Sequence, residues 1–311
     1  MMTVNVLFAA RRARWKFYAD PLPAAIAAAG VAAHVALEIP PQDVDYIVYA
    51  PDSPLQDFRP YTRTKAVLSL WAGVEEIVGN ETLTQPLTRM VDGGLKEGMV
   101  EWVTGHVLRH HLGMDAHIVN PDRNWHPEAP PLARTRAITV LGLGELGRAC
   151  AQALAALRFQ VRGWSRTARD LPGIDCFSGP EGLRAALTGT EGVVLLLPDT
   201  PATGNTLNSG TLSLLAPGAF VLNPGRGPLI DDAALLDALE TGRVGHATLD
   251  TFRKEPLPRD HPFWAHPKVT VTPHIASETR PDTASEVVAE NIRRGEAGEP
   301  LLFVVDPALG Y

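Results

Sequence analysis

Three residues in the last third of the chain, Arg226, Glu255 and His274, are of the types needed to move a hydride and a proton onto a carbonyl group. Each stands in its own frame: Asn223-Pro224-Gly225-Arg226-Gly227, Leu249-Asp250-Thr251-Phe252 running on to Glu255-Pro256-Leu257-Pro258, and Thr272-Pro273-His274-Ile275-Ala276. A guanidinium grips a carboxylate with paired, charge-assisted hydrogen bonds, which suits Arg226 to holding an α-keto acid. An imidazole titrates near neutrality, which suits His274 to protonating the carbonyl oxygen as hydride reaches the carbon. Glu255 would hold that imidazole in one tautomer. A hydride donor is also required, and Gly142-Leu143-Gly144-Glu145-Leu146-Gly147 has the spacing of a dinucleotide-binding turn.

The surrounding pattern supplies elements that could position these groups. Apolar runs predict strands at 137–141, 160–164, 193–197, 219–223, 246–250 and 269–272, with a helix over 148–157 after the glycines. Arg226, Glu255 and His274 each follow the carboxyl end of one such strand, the edge where ligands collect in open α/β sheets. Further upstream, strand-like runs at 3–9, 31–39, 44–50 and 66–70 alternate with a helix over 21–30 that starts on proline and ends on glycine. The polar stretch Asp92-Gly93-Gly94-Leu95-Lys96-Glu97-Gly98 reads as a crossing between domains, leading into a helix from Met99 to His111. Pro281 closes the second domain, and a helix over 282–295 returns to the first. The expected fold is therefore α/β, with a doubly wound cofactor domain at 98–280 inserted into a substrate domain built from 1–97 and 281–311. The segment 120–131, with four prolines, Trp125 and His126, reads as a loop without assigned chemistry.

Composition narrows the function class. At 311 residues the chain fits two domains, and 45% apolar with 20% charged residues is ordinary for a globular protein. A net charge of −7 argues against a nucleic-acid partner, which needs a concentrated basic surface. Arg11, Arg12 and Arg14 form the one dense basic run and read as a solvated loop. The apolar run Val4–Ala10 is too short for a membrane span and reads as a first strand. The two cysteines, Cys150 and Cys176, read as small core residues, and a cytoplasmic location is expected. His106 and His110 have the i,i+4 spacing of half a metal site. Without a carboxylate–histidine motif they read as helix-surface residues, and no metal is expected.

Cofactor choice rests on the strand after the glycines. An NAD-selective site would end that strand with Asp or Glu, about 20 residues on, to hold the ribose 2′-hydroxyl. Trp164-Ser165-Arg166-Thr167 stands there instead. Ser165, Arg166 and Thr167 suit a 2′-phosphate, with Arg162 and Arg169 adding to the field, so NADPH is preferred and NADH remains possible. The loop Leu197-Pro198-Asp199-Thr200-Pro201-Ala202-Thr203 follows a predicted strand and is expected to line the nicotinamide pocket through Leu197, Pro198 and Thr203. Gly142, Gly144, Glu145, Leu146 and Gly147 of the turn, and Asn223, Pro224, Gly225 and Asp250 of the catalytic frames, complete the expected cofactor contacts.

These segments, together with the Gly310-Tyr311 terminus, resemble the D-isomer-specific 2-hydroxyacid dehydrogenase family, and more narrowly its glyoxylate/hydroxypyruvate reductase A branch. The resemblance implies a Rossmann domain inserted into a flavodoxin-like domain, a homodimer, and reduction of small 2-keto acids. It implies substrate binding and carbonyl polarisation by Arg226, acid–base catalysis by His274, and orientation of the histidine by Glu255. It also gives the segment Trp71-Ala72-Gly73-Val74 to the substrate carboxylate, and the helix 99–111 with its following loop to the dimer surface. Two departures bear on substrate range. Trp71 and Glu75 bracket a segment that the family commonly writes Gly-Ala-Gly-Val-Asp, and Pro224-Gly225 replaces a commoner small-residue pair. The alternatives are a related dehydrogenase with a larger substrate and a dinucleotide-sensing binding protein of the same fold.

Overall fold

The computed structural model describes residues 3–118, 120–125 and 127–310; His126 and Tyr311, named above, lie outside them. The chain divides into two compact units, Met1–Leu95 with Glu278–Tyr311, and Lys96–Ser277. In chain order the elements begin with β1 (Val4–Ala9), α1 (Arg12–Tyr18), α2 (Pro21–Ala28), β2 (Ala33–Ala36), β3 (Tyr46–Tyr49), β4 (Ala66–Ser69) and β5 (Leu87–Thr88). Helices α3 (Gly93–His111) and α4 (Asp115–Ile118) lead to β6 (Ala137–Leu141), α5 (Glu145–Ala156), β7 (Gln160–Ser165), β8 (Asp175–Ser178), α6 (Gly179–Leu187) and β9 (Gly192–Leu195). Then come α7 (Ser209–Leu212), β10 (Ala219–Asn223), α8 (Asp232–Glu240), β11 (Val244–Leu249), β12 (Val269–Val271) and α9 (Pro281–Ala297). Among the described residues, no helix is long and apolar enough to cross a membrane.

The first unit holds a parallel sheet in the order β2-β1-β3-β4-β5, the flavodoxin-like arrangement. Tyr46, Ile47, Val48 and Tyr49 are all buried, as expected of a central parallel strand covered on both faces. Leu22 and Ile26 of α2 share one core with Ala284, Val288 and Ile292 of α9, so the last helix closes the sheet begun by the first strand.

The second unit holds a parallel sheet in the order β12-β11-β10-β9-β6-β7-β8. The direction of winding reverses between β6 and β9, which makes their carboxyl ends the topological switch point. Met99, Val103 and Val107 recur every four residues along α3 and are buried against β6, β9 and β10. The two doubly wound parallel sheets are those expected from the alternation of apolar runs and helical segments.

Several local expectations are corrected. The division between the units falls within the stretch 92–98, between Leu95 and Lys96, but the chain is already helical there: α3 starts at Gly93 rather than Met99, because Asp92 accepts a hydrogen bond from the Leu95 N–H at 2.9 Å and caps the helix. Gly94 is needed there, since a Cβ would come within 2.8 Å of Thr283 Oγ1. Pro281 likewise opens α9 at its first position, where its missing N–H costs nothing. The basic run after β1 is helix α1 rather than a loop, and Arg11 and Arg14 pair with the carboxylate of Asp52. Cys150 is fully buried, whereas Cys176 is only half-buried on the short strand β8.

Candidate active site

Arg226, Glu255 and His274 lie beyond β10, β11 and β12, three neighbouring strands of one sheet edge. The ends of β10 and β11 are tied together by the Asp250 N–H donating to the Asn223 carbonyl at 3.0 Å. Asn223 then shapes the turn that presents the arginine. Its Nδ2 donates to the Arg226 carbonyl at 2.8 Å, and its Oδ1 accepts from the Gly225 N–H at 3.2 Å. A Cβ on Gly225 would sit 2.7 Å from the Leu195 carbonyl, and one on Gly227 would strike the Phe252 backbone at 2.0 Å. The Pro-Gly pair that departs from the family pattern thus places glycine where the chain passes close to β9. The Arg226 side chain bends back, with Nη1 donating to the Gly225 carbonyl at 2.7 Å.

His274 and Glu255 meet directly. The histidine Nδ1 lies 2.7 Å from Glu255 Oε2, while Glu255 Oε1 accepts from the Phe252 N–H at 2.8 Å. With the carboxylate accepting at Nδ1, the proton there is fixed and Nε2 becomes the nitrogen that exchanges a proton with a ligand. The histidine side chain is 49% exposed, so that nitrogen is reachable.

Asp250 holds the histidine in place. It is fully buried, and its Oδ1 accepts from Thr272 Oγ1 at 2.6 Å and the Ile275 N–H at 2.9 Å. Its Oδ2 accepts from the Ala276 N–H at 2.9 Å, and its carbonyl accepts from the His274 N–H at 2.9 Å. This collar keeps His274 at φ 54°, a left-handed conformation that a residue with a Cβ adopts only when its surroundings impose it. Sequence reasoning gave Asp250 to the cofactor contacts; the carboxylate has a structural task that reasoning missed, since it holds the loop that carries the histidine. The available signal was an acidic residue at the end of the strand that neighbours the one leading into the Thr-Pro-His turn.

The glycine turn has the shape a pyrophosphate needs. Gly142 sits at φ 101°, and a Cβ there would lie 2.4 Å from the Leu196 carbonyl. On Gly147 it would lie 1.7 Å from the Gly142 carbonyl, so α5 packs directly on the turn. Gly144 precedes α5 with open space around it, which leaves the helix N-terminus approachable by an anion. Glu145 is drawn aside by Arg148 at 3.1 Å and Lys96 at 3.4 Å, and Leu146 packs into the core. At the end of β7, Ser165 Oγ donates to the Thr167 carbonyl at 2.7 Å, forming a tight turn with Arg166 and Thr167 exposed. Arg162 does not join them: its guanidinium donates to the Thr188 carbonyl at 2.7 Å beyond the end of α6, where the helix dipole favours a cation. In the loop after β9, Leu197 is buried, and Thr203 Oγ1 staples the turn by donating to the Pro198 carbonyl at 2.7 Å.

In the first unit, Trp71 is anchored rather than loose. Its N–H donates to Ser69 Oγ at 3.0 Å, its ring packs on the α2–α9 core, and the Arg14 guanidinium lies 5.7 Å from the ring centroid. Ala72 and Gly73 are half-buried beside it, and Val74 is buried. His106 and His110 are also not surface residues. His106 packs at a tilt on Trp102, with ring centroids 4.4 Å apart, and His110 is wedged between Phe220 at 5.1 Å and His246 at 4.8 Å.

Comparison with known proteins agrees with this geometry. Residues 105–276 match the family model for the D-isomer specific 2-hydroxyacid dehydrogenase NAD-binding domain. A glyoxylate/hydroxypyruvate reductase A from Serratia proteamaculans is 42% identical over 257 residues, covering 80% of this chain and 82% of the relative. One from Yersinia enterocolitica is 39% identical over 279 residues, covering 87% and 88%. Among solved structures, a 2-hydroxyacid dehydrogenase from Xanthobacter autotrophicus in complex with NADPH superposes with a TM-score of 0.93 at 39% identity, covering both chains fully. An NADPH-dependent glyoxylate/hydroxypyruvate reductase from Sinorhizobium meliloti in complex with NADP gives 0.84 at 32% identity, covering 99% and 100%. The glycine turn, the histidine–glutamate pair and these matches place the chain in the D-isomer-specific 2-hydroxyacid dehydrogenase family.

Proposed function

We propose that the chain is an NADPH-dependent reductase of small 2-keto acids, glyoxylate and hydroxypyruvate among them, forming 2-hydroxy acids of D configuration where the carbon is chiral. The observation that carries this reading is the 2.7 Å contact between His274 and Glu255, one strand away from Arg226. The names of the relatives favour the same substrates. The residues fit a dinucleotide, because Gly142 and Gly147 leave a cradle that any Cβ would fill and α5 offers its N-terminus beside it. Bound NADPH supplies the hydride. Arg226 holds the keto acid's carboxylate and offsets negative charge developing on the carbonyl oxygen. His274 delivers the proton to that oxygen from Nε2, and Glu255 keeps the ring oriented. Trp71, Ala72, Gly73 and Val74 keep the substrate-facing role that the family resemblance gives them.

The test is the loss of nicotinamide absorbance on mixing purified protein with glyoxylate or hydroxypyruvate, using NADPH and NADH in parallel. Faster oxidation of NADPH supports the reading, and no turnover with either cofactor overturns it. Arg166→Ala separates the phosphate contact from the chemistry. Losing a hydrogen bond to a charged group costs about 1.5–3 kcal/mol, so KM for NADPH is expected to rise about 10- to 100-fold. KM for NADH should stay as it was, and a parallel rise in both would remove the 2′-phosphate role.

The same reading makes the protein a cytoplasmic homodimer with free thiols. Support for a subunit surface comes from Ile118, Trp125 and Leu132, which are 71%, 91% and 55% exposed in one segment of the second unit. Isolated exposed apolar residues are common, but three bulky ones in one segment after a long helix point to a partner. Trp125→Ser combined with Ile118→Ser is expected to shift the protein toward monomer in size-exclusion chromatography with light scattering. An unchanged dimer would move the interface elsewhere.

A further inference from the structure

His110, Asp115 and His246 form a group that hydride transfer does not use. One ring nitrogen from each histidine and one carboxylate oxygen of Asp115 lie within 4.8 Å of one another. They converge from three elements: the last turn of α3, the first residue of α4, and the third residue of β11. We propose that these three side chains bind a divalent late first-row transition-metal ion of the zinc, nickel or cobalt class.

The rings are already fixed as metal ligands require. His110 Nε2 is 2.9 Å from Thr248 Oγ1, and His246 Nε2 is 2.8 Å from Thr270 Oγ1. Ligating histidines characteristically hold their second nitrogen on an outer hydrogen-bond partner, which fixes both ring and tautomer. The imidazole centroids are 4.8 Å apart and the planes differ by 40°, so the two rings need little movement to face one ion.

The charge states suit a cation as well. Burial pushes the His110 imidazole down to about 3 and lowers His246 too, so both rings are neutral at physiological pH and carry a free lone pair. Burial opposes ionisation of Asp115, but the Arg109 hydrogen bond and charge prevail and hold its carboxyl below the ordinary value. Arg109 is the obvious competitor, with its Nε 2.7 Å from Asp115 Oδ1. A carboxylate has about four lone-pair sites, so Asp115 can bind an ion through one oxygen and keep the arginine on the other. Its side chain is 44% exposed, which provides an entry path and leaves room for water ligands. Two imidazoles with one carboxylate select zinc, nickel or cobalt over magnesium or calcium, which favour all-oxygen sets. The site is distinct from the catalytic residues, because His246 precedes Asp250 by four residues of strand, about 13 Å at about 3.3 Å per residue.

An ion here would bridge α3 and α4 to β11. Untagged protein stripped with a chelator would be titrated with cobalt(II), read by visible absorption, and with zinc(II) against a chromophoric chelator. The expected result is saturation at a single ion per chain, with a thermal midpoint raised by zinc. His246→Ala and Asp115→Asn should each abolish both effects while circular dichroism shows a native fold. Thr248→Val keeps all three ligands but removes the partner of His110, and should weaken binding about 10- to 100-fold. Absence of saturable binding, or binding that survives intact in Asp115→Asn and His246→Ala, would overturn the site.

Discussion

His274→Ala is expected to lower kcat for glyoxylate by about a hundred- to ten-thousand-fold, the usual worth of a positioned acid in proton transfer. KM should change little, because the imidazole acts on charge that develops as hydride arrives rather than on bound substrate. Its Nδ1 is committed to Glu255 at 2.7 Å, so the group that the variant removes is Nε2, the proposed proton donor. Glu255→Gln should cost less: the amide oxygen still accepts from Nδ1 and keeps the ring oriented, though without the strength of a charge-assisted bond. Steady-state kinetics of both variants decide the matter. Normal kcat in His274→Ala would mean that another group protonates the oxygen.

Asp250→Ala should instead break the site by unfolding its support. The carboxylate is fully buried and accepts from the Ile275 and Ala276 N–H groups and from the Thr272 hydroxyl. Alanine would orphan two backbone donors, at about 1–3 kcal/mol for each group left unsatisfied. A domain of this size loses about 2–4 °C of melting temperature per kcal/mol, so the drop is expected to be large in calorimetry or circular dichroism. Activity should fall further than stability alone dictates, because the loop that carries His274 at its left-handed φ loses its bonds from Thr272, Ile275 and Ala276 to the carboxylate. A variant with wild-type melting and activity would show that the loop needs no such collar.

Much of this was legible before any coordinates. The strands of the second unit are long apolar runs bounded by turns, and Ala219–Asn223 and Ala137–Leu141 fall where hydrophobicity alone puts them. Short edge strands were not readable: β5 is buried but has only two residues, too few for a pattern, and β8 reads Asp-Cys-Phe-Ser with both ends exposed. The start of α3 was hidden because glycine propensity argues against a helix there, and only tertiary contact with Thr283 explains Gly94. At the site, residue type and position at strand ends pointed to Arg226, Glu255 and His274, which the fold sets beyond three neighbouring strands. The role of Asp250 was concealed, since a buried carboxylate that binds backbone looks in sequence like one that faces a ligand. The association of His110 with His246 spans the sheet and leaves no spacing to read.

The histidine also follows directly on an edge strand of its sheet. Strand β12 is three residues long, only half-buried, and paired on one side alone, to β11. Segments with so few backbone and apolar contacts open at a fraction of the free energy that unfolds a central strand. Heat or denaturant is therefore expected to release the proposed proton donor while the middle strands of the sheet are still protected from hydrogen exchange. Durability of activity and durability of fold are separate quantities in this molecule, and the former is governed by an edge.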